Sequence, residues 1–445
     1  MTETRKTLVL GLSIQHAGYH AGAWRLPETP SHATMSFEHY LRSAEAAERG
    51  KFDMIFFADG VAVRESLDDL EVLSRTPSVV SFEPITLLAA LAMRTRHIGL
   101  VATASTSYNE PYHIARKFAS LDHISGGRAA WNLVTSWSEG EARNFGLSAP
   151  PDYATRYARA QEFVRVVTGL WNSWEEDAFL QDKASGRFFD PSKLHVLDHQ
   201  GPHFKVRGPL NVARTPQGRP LICQAGKSET GQDIAAESAD FVFSAAHTLA
   251  EAQAYYRSVK ARLPRYGRRP DSLKILPGVV PIVGATDEQA RAKHARLQAL
   301  VDPQIGLSLL AHLGDLSAYP LDEPLPPIQD FGQMASVARL VAQKAYDEGL
   351  TIRELYLAVA ASRGHRLLVG SAEHIADDLQ AWFEAGAADG FNIAAPNLPG
   401  AVDDFVDHVV PLLQARGLFR LDYQANTLRE HLGLPYPEHP RRSHP

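Results

Sequence analysis

The fold turns on residues 8–14, Leu8-Val9-Leu10-Gly11-Leu12-Ser13-Ile14, and on Gln15-His16-Ala17-Gly18-Tyr19-His20 just after them. The first seven residues read as a buried first strand, far short of the roughly 18 apolar residues that a membrane helix needs. A dinucleotide-binding open sheet would follow its first strand with a glycine-rich turn, and residues 15–20 are not one. No small-residue cleavage site follows the run either, so it is read as structure and not as a leader. The opening therefore favours a closed barrel over a doubly wound sheet.

Beyond this strand, short apolar runs alternate with longer helical patterns, as parallel strands joined by crossover helices require. Strands are expected at Met54–Phe57, Ile98–Ala102, Ala129–Val134, Leu221–Gln224, Phe241–Phe243, within 273–283 and at Gly390–Ala394. Helices are expected at 36–49, 84–93, 111–123, 155–171, from Ser228, 249–263, 286–313, 331–348, 372–385 and 402–416. With the opening strand this makes eight, an α/β fold of the (β/α)8 TIM-barrel type. A chain of 445 residues exceeds a minimal barrel of about 250. The surplus is assigned to insertions after strands 2, 4 and 7, near 60–82, 172–219 and 314–330, and to a C-terminal extension, 417–445. No flexible linker is visible, so the reading is one domain over 1–445. The Pro- and Arg-rich tail after Pro435 is expected to wrap a neighbouring subunit or to fray.

With 44% hydrophobic and 22% charged residues, disordered and fibrous classes are excluded. Forty-five Lys and Arg against 51 Asp and Glu give a net charge of −6, which argues against nucleic acid and for a small-molecule partner. The single cysteine, Cys223, cannot form an intramolecular disulfide, so a reducing cytoplasmic setting and no membrane are expected.

In a barrel, chemistry belongs at the C-terminal ends of strands. Those ends carry His16 and His20, Asp59-Gly60, Thr103 with Ser105, Asn132 with Trp137, Gln224 to Gly231, and Phe243. Gly226-Lys227-Ser228 at a strand-to-helix junction suggests a phosphate site, because free amides at a helix start favour an anion; the plain alternative is that Ser228 is an N-cap. A Walker A loop would need glycine where Leu221 stands. Arg156 and Tyr157 could add a clamp and a hydroxyl. Phe56, Phe57, Trp131, Trp137 and Phe243 read mainly as core, with Phe243 placed to flank a planar ligand. The spacing of His16 and His20 makes no metal-ligand motif, so no metal is expected.

The same residues carry a resemblance. Gly18-Tyr19-His20, Ala23-Trp24-Arg25, Phe56-Phe57-Ala58-Asp59, Asn109-Glu110-Pro111-Tyr112-His113, the run 125–136, Glu141-Ala142-Arg143-Asn144-Phe145-Gly146, Arg156-Tyr157, Gln224-Ala225-Gly226-Lys227-Ser228 and Asp389-Gly390-Phe391-Asn392 are similar to the bacterial-luciferase-like superfamily. Within it they resemble the group of nitrilotriacetate, pristinamycin-synthase and dibenzothiophene-sulfone monooxygenases. The resemblance implies reduced FMN delivered by a separate NAD(P)H:flavin reductase, O2 as co-substrate, and a flavin hydroperoxide or related species that oxygenates a small organic substrate, with C–S or C–N cleavage. It also implies a homodimer or homotetramer. By position, Asp59, Thr103 and Ser105 resemble ring and ribityl contacts, and Tyr157, Lys227 and Ser228 a phosphate site; Tyr153 stands where the family usually has a histidine, and Phe243 matches an aromatic beside the ring. His20 and His312 resemble catalytic positions, and Phe57, Trp137 and Val369 pocket residues. Two alternatives stay open: a deazaflavin-dependent hydride-transfer enzyme of the same superfamily, and a non-catalytic flavin-binding protein.

Overall fold

The computed structural model describes residues 6–63, 69–328 and 335–441. Its strands form where the apolar runs are continuous, because a parallel sheet covered by helices buries both faces. They are β1 (Val9–Ile14), β2 (Met54–Phe57), β3 (Gly99–Ser105) and β4 (Ala129–Val134), then a two-residue ribbon of β5 (His199–Gln200) and β6 (Lys205–Val206), and β7 (Leu221–Gln224), β8 (Phe241–Ser244), β9 (Lys274–Gly284), β10 (Arg366–Ser371) and β11 (Gly390–Ala394). The parallel order β9-β11-β1-β2-β3-β4-β7-β8 closes on itself when β8 pairs with β9 from Phe241↔Lys274 to Ser244↔Pro277. The result is a closed eight-stranded parallel barrel with helices between strands.

Side chains alternate across the barrel wall with the period of two expected of strands. Val9, Met54, Phe56, Val101, Ala130, Leu221, Cys223, Phe241, Phe243 and Leu276 form the inner core. Leu10, Leu12, Ile55, Phe57, Leu100, Ala102, Trp131 and Leu133 face outward, into a core shared with the helices. Each large apolar side chain buried in this way contributes about 1.5–3 kcal/mol.

Several sequence expectations need correction. A ninth strand, β10, adds to the second half of β9 from Arg366↔Val279 to Ser371↔Gly284; β9 runs eleven residues and overshoots the barrel, leaving an edge to be paired. The helix expected over 286–313 is broken into Asp287–Gln298, Pro303–Leu309 and a 3-10 turn at Ala311–Leu313, because Pro303 cannot continue a helix and Asp302 caps a new one. Short helices at Glu139–Asn144 and Ile352–Ser362 were not expected, and the helix expected over 155–171 begins at Tyr153, capped by Asp152. Residues 64–68 of the first expected insertion, 329–330 of the third, the helix start at 331–334, and the tail 442–445 lie outside the described residues.

The C-terminal extension packs back onto the barrel. Leu428, Leu432 and Leu434 join the inner core at the end where the strands begin, and a Cβ on Gly99, the first residue of β3, would stand 2.5 Å from Leu428. Beyond Pro435, Arg214 donates to the Pro437 carbonyl and the His439 ring bonds to the Asn172 carbonyl at 2.9 Å. The extension is pinned by a buried charge cluster in which the Asp240 carboxylate meets Arg219 at 2.8 Å and Arg429 at 3.2 Å and accepts the Ile222 N–H at 2.8 Å. Burial alone would push the Asp240 carboxyl up, but Arg219, Arg429 and Arg268 outweigh it and hold the group at about 2.

A carboxyl held below its unfolded value of 3.8 stabilises the fold above that pH, and the contribution is lost as pH falls through about 2. Asp240→Asn is expected to lower stability at pH 7 by about 3–5 kcal/mol, since it strands the buried Arg429 and the half-buried Arg219. Urea unfolding should also show a flatter pH dependence between about 4 and 2 for the variant than for the wild type.

Candidate active site

The strand ends converge on a cleft of about 500 Å3 whose walls include Phe56, Asp59, Thr103, Asn132, Ser136, Trp137, Glu141, Tyr157 and Gln224. Hydrogen bonds between neighbouring strand ends fix the polar wall. Thr103 Oγ1 donates to the Phe57 carbonyl at 2.8 Å and accepts from Asn132 Nδ2 at 2.9 Å. The Ser136 and Ser105 hydroxyls are hydrogen-bonded to each other at 2.9 Å. Ser136 holds a left-handed backbone with φ 38, which favours glycine, and Arg156 Nη1 stabilises it by donating to the Ser136 carbonyl at 2.6 Å. Arg156 thus braces the end of β4.

At one side of the rim, Tyr153 Oη donates to Ser228 Oγ at 2.7 Å, and the Tyr153 and Tyr157 rings stack with centroids 4.2 Å apart. Ser228 caps the ten-residue helix Glu229–Ser238 by accepting the Gly231 N–H at 3.2 Å. That helix starts close against the strand, since a Cβ on Gly226 would stand 2.6 Å from Gln224 Nε2 and 3.1 Å from Gly231 Cα. Burial raises the Tyr157 phenol above its ordinary range. Burial also acts to raise Tyr153, but hydrogen bonds with Ser228, Thr230 and Tyr157 bring it below that range. Lys227, exposed beside them, completes a cluster of hydroxyls, helix amides and one ammonium.

These residues fit FMN. Asn132 Oδ1 and Gln224 Oε1 are buried at the cleft without a hydrogen-bond partner among the described residues, and such acceptors suit the N–H and hydroxyl donors of an isoalloxazine and a ribityl chain. The Tyr153, Tyr157 and Ser228 cluster at a helix start suits a phosphate.

Not every expected residue reaches the cleft wall. Phe243 is buried and reaches the cleft only through Phe56, its ring 4.6 Å away. Phe57 lines a narrow channel beside the cleft. Trp137 is on the cleft wall and 63% exposed. Val369, on β10, packs near Ala23, Ile282 and Leu297. His20 is enclosed, and its Nδ1 accepts the Gly22 N–H at 3.0 Å. Burial first, then His294 and Arg363, lower its ring to about 4, with the Gln298 side chain opposing. His312 is half-buried on its 3-10 turn, off the cleft wall.

The sequence reading quoted Glu141 only within a resembling stretch and gave it no role; its Oε1 accepts the Val61 N–H at 3.1 Å and the Ser136 hydroxyl at 3.3 Å, tying the β2 loop to the end of β4. The available signal was Ser138 three residues before it, an N-cap pattern. Away from the cleft, Glu175, His195 and His439 lie together, bonded to one another or to the Asn172 carbonyl.

Residues 15–389 match the luciferase-like monooxygenase family. The chain is 50% identical over 442 residues to the N-acetyl-S-(2-succino)cysteine monooxygenase of Bacillus subtilis (strain 168), covering 98% of this chain and 99% of that one. It is 47% identical over 442 residues to nitrilotriacetate monooxygenase component A of Aminobacter aminovorans, covering 97% and 98%. Among solved structures, a riboflavin lyase holding modified FMN and riboflavin superimposes with a TM-score of 0.84 at 31% identity, covering 97% of each chain. The chain therefore belongs to the luciferase-like monooxygenase family, and it is a flavin-dependent monooxygenase. No described helix is long and apolar enough to cross a membrane.

With its folded value near 4, the His20 ring is neutral near pH 7, and the unfolded chain takes up a proton there at about 6.5. Acid therefore removes stability as pH falls from 6.5 towards 4. NMR of the ring nitrogens should show His20 neutral down to about pH 5; a titration centred near 6.5 would contradict its enclosure.

Proposed function

We propose that the chain is the oxygenase component of a two-component monooxygenase that works in the cytoplasm as a homodimer or homotetramer. It takes reduced FMN from a separate NAD(P)H:flavin reductase and transfers one oxygen atom of O2 to a small organic substrate, with cleavage of a C–S or C–N bond. Reduced FMN, when bound, supplies the two electrons that let O2 give one atom to the substrate and the other to water. The observation that carries the reading is the union, on one barrel rim, of buried amide acceptors at Asn132 and Gln224 with the hydroxyl cluster at the start of the Glu229–Ser238 helix. The name of the Aminobacter relative, a component A, supports a separate partner.

In this reading Ser228, Tyr153, Tyr157 and Lys227 hold the phosphate. Thr103, Ser105 and Asp59 orient the ribityl chain and ring, Phe56 and Phe243 back the ring, and Trp137 and the Glu141-braced loop limit water at the mouth. Water exclusion matters because water at the reacting centre diverts reduced flavin and O2 to peroxide. Phe57 shapes the channel beside the cleft, while Val369 and His312 lie off the cleft wall and take no direct part. His20 acts as a positioning residue through the strand-one exit that it holds.

Anaerobic titration with reduced FMN should give saturable binding. An O2 pulse with thioethers, sulfones or tertiary amines should then give an oxygenated product by mass spectrometry; reduced-flavin binding without O2 uptake would favour the deazaflavin or non-catalytic readings. Ser228→Ala is expected to weaken FMN binding about tenfold, the loss of one hydrogen bond to a charged group. His20→Ala should lower the product formed per reduced FMN more than it lowers FMN affinity.

A further inference from the structure

The stretch 172–219 leads from the helix Tyr153–Trp171 into β7, so it lies towards the end of the barrel where the strands begin, away from the cleft. Trp174 and Leu194 form an antiparallel bridge there, with the Glu175 N–H bonded to the Lys193 carbonyl at 3.2 Å and the His195 N–H to the Ser173 carbonyl at 2.8 Å. Residues next to such a bridge share one face. Glu175 and His195 meet diagonally across it, Glu175 Oε1 to His195 Nε2 at 2.9 Å.

The C-terminal extension brings a third group to the same place. His439 is 3% exposed, and its ring stacks on that of His195 with centroids 5.0 Å apart. Its Nε2 donates to the Asn172 carbonyl at 2.9 Å, which leaves a lone pair on Nδ1, where it accepts the Arg441 N–H at 3.2 Å. One coordinating atom from each of Glu175, His195 and His439 lies within 4.8 Å of the other two. Charges on adjacent residues are paired with each other: Arg214 meets Glu176 at 2.6 Å, and Lys193 meets Asp177. The exposed Arg441 side chain touches His195 Nδ1 at 3.5 Å, a long contact that it can give up to solvent.

We infer that Glu175, His195 and His439 form a structural site for a divalent ion of the zinc type, with water as the fourth ligand. Two imidazoles and a carboxylate suit zinc, whereas magnesium and calcium take oxygen ligands. Tetrahedral ligands about 2.0–2.1 Å from zinc stand about 3.4 Å apart, and side-chain rotation brings the three groups to that spacing. The Asn172 carbonyl, on the Nε2 side of the His439 ring, is the kind of outer partner that orients a metal-bound histidine. The ligands come from three separate stretches of chain, so no spacing motif in the sequence announces them. The ion fastens the tail to the insertion ahead of β7, beyond the segment whose Leu428, Leu432 and Leu434 fill the end of the barrel. The site is independent of flavin, of substrate and of the proposed function.

The untagged full chain, stripped of metal by a chelator, is titrated with Zn2+ by calorimetry and melted with and without the ion. One strong site per chain is expected, with a rise in the thermal midpoint that Mg2+ does not reproduce. His195→Gln and His439→Gln, whose amides can still hydrogen-bond, should each weaken Zn2+ binding about tenfold or more and remove most of the zinc-dependent rise. Their metal-free circular dichroism should match wild type. Co2+ bound to the wild type should show the intense visible bands of a four-coordinate ion, which tests the site even where a variant fails to fold. Absence of a strong Zn2+ site in the wild type, a six-coordinate Co2+ spectrum, or Zn2+ affinity and midpoint rise unchanged in both variants overturns the inference.

Discussion

Barrel closure depends on a single long strand. β9 pairs with β8 through Lys274–Pro277, with β11 at Gly278 and Val279, and with β10 from Val279 to Gly284. A parallel sheet left open would present two rows of unpaired backbone groups, and closure removes them. Pro277, which has no N–H to offer, falls where the pairing with β8 ends and that with β11 begins. Once the barrel is closed, the strands end at one rim, and side chains as distant in sequence as Asp59, Asn132 and Gln224 share one cleft.

The polar rim is held by backbone carbonyls as much as by side chains. Thr103 reaches the Phe57 carbonyl, Arg156 that of Ser136, and Arg159 those of Thr106 and Asn109. Such bonds fix the heights of neighbouring strand ends relative to one another. Asn132 Oδ1 and Gln224 Oε1 are then left facing the cleft because their surroundings are already committed, and rigid, unsatisfied groups of this kind are what a site needs to bind a ligand without reorganising.

The barrel was legible because its strands are continuous apolar runs, and the junction at Ser228 because a serine before a helix declares its cap. β10 was not, since Leu367, Leu368 and Val369 are too few to distinguish a strand from a helix start. His20 was placed at the mouth by its position after β1, but the chain turns there and encloses the ring; sequence order cannot show which way a loop side chain turns. Phe56 and Phe243 both face inward, and only their heights in the barrel decide which one meets the cleft.

The segment from Leu428 to Leu434 occupies the end of the barrel where the strands begin and completes the inner core. During synthesis the eight strands can assemble as they emerge, yet their interior stays open to water until residue 434 has cleared the ribosome. Until that segment arrives the strands form a ring without a floor, so the inner core is sealed by residues that follow the last strand in sequence.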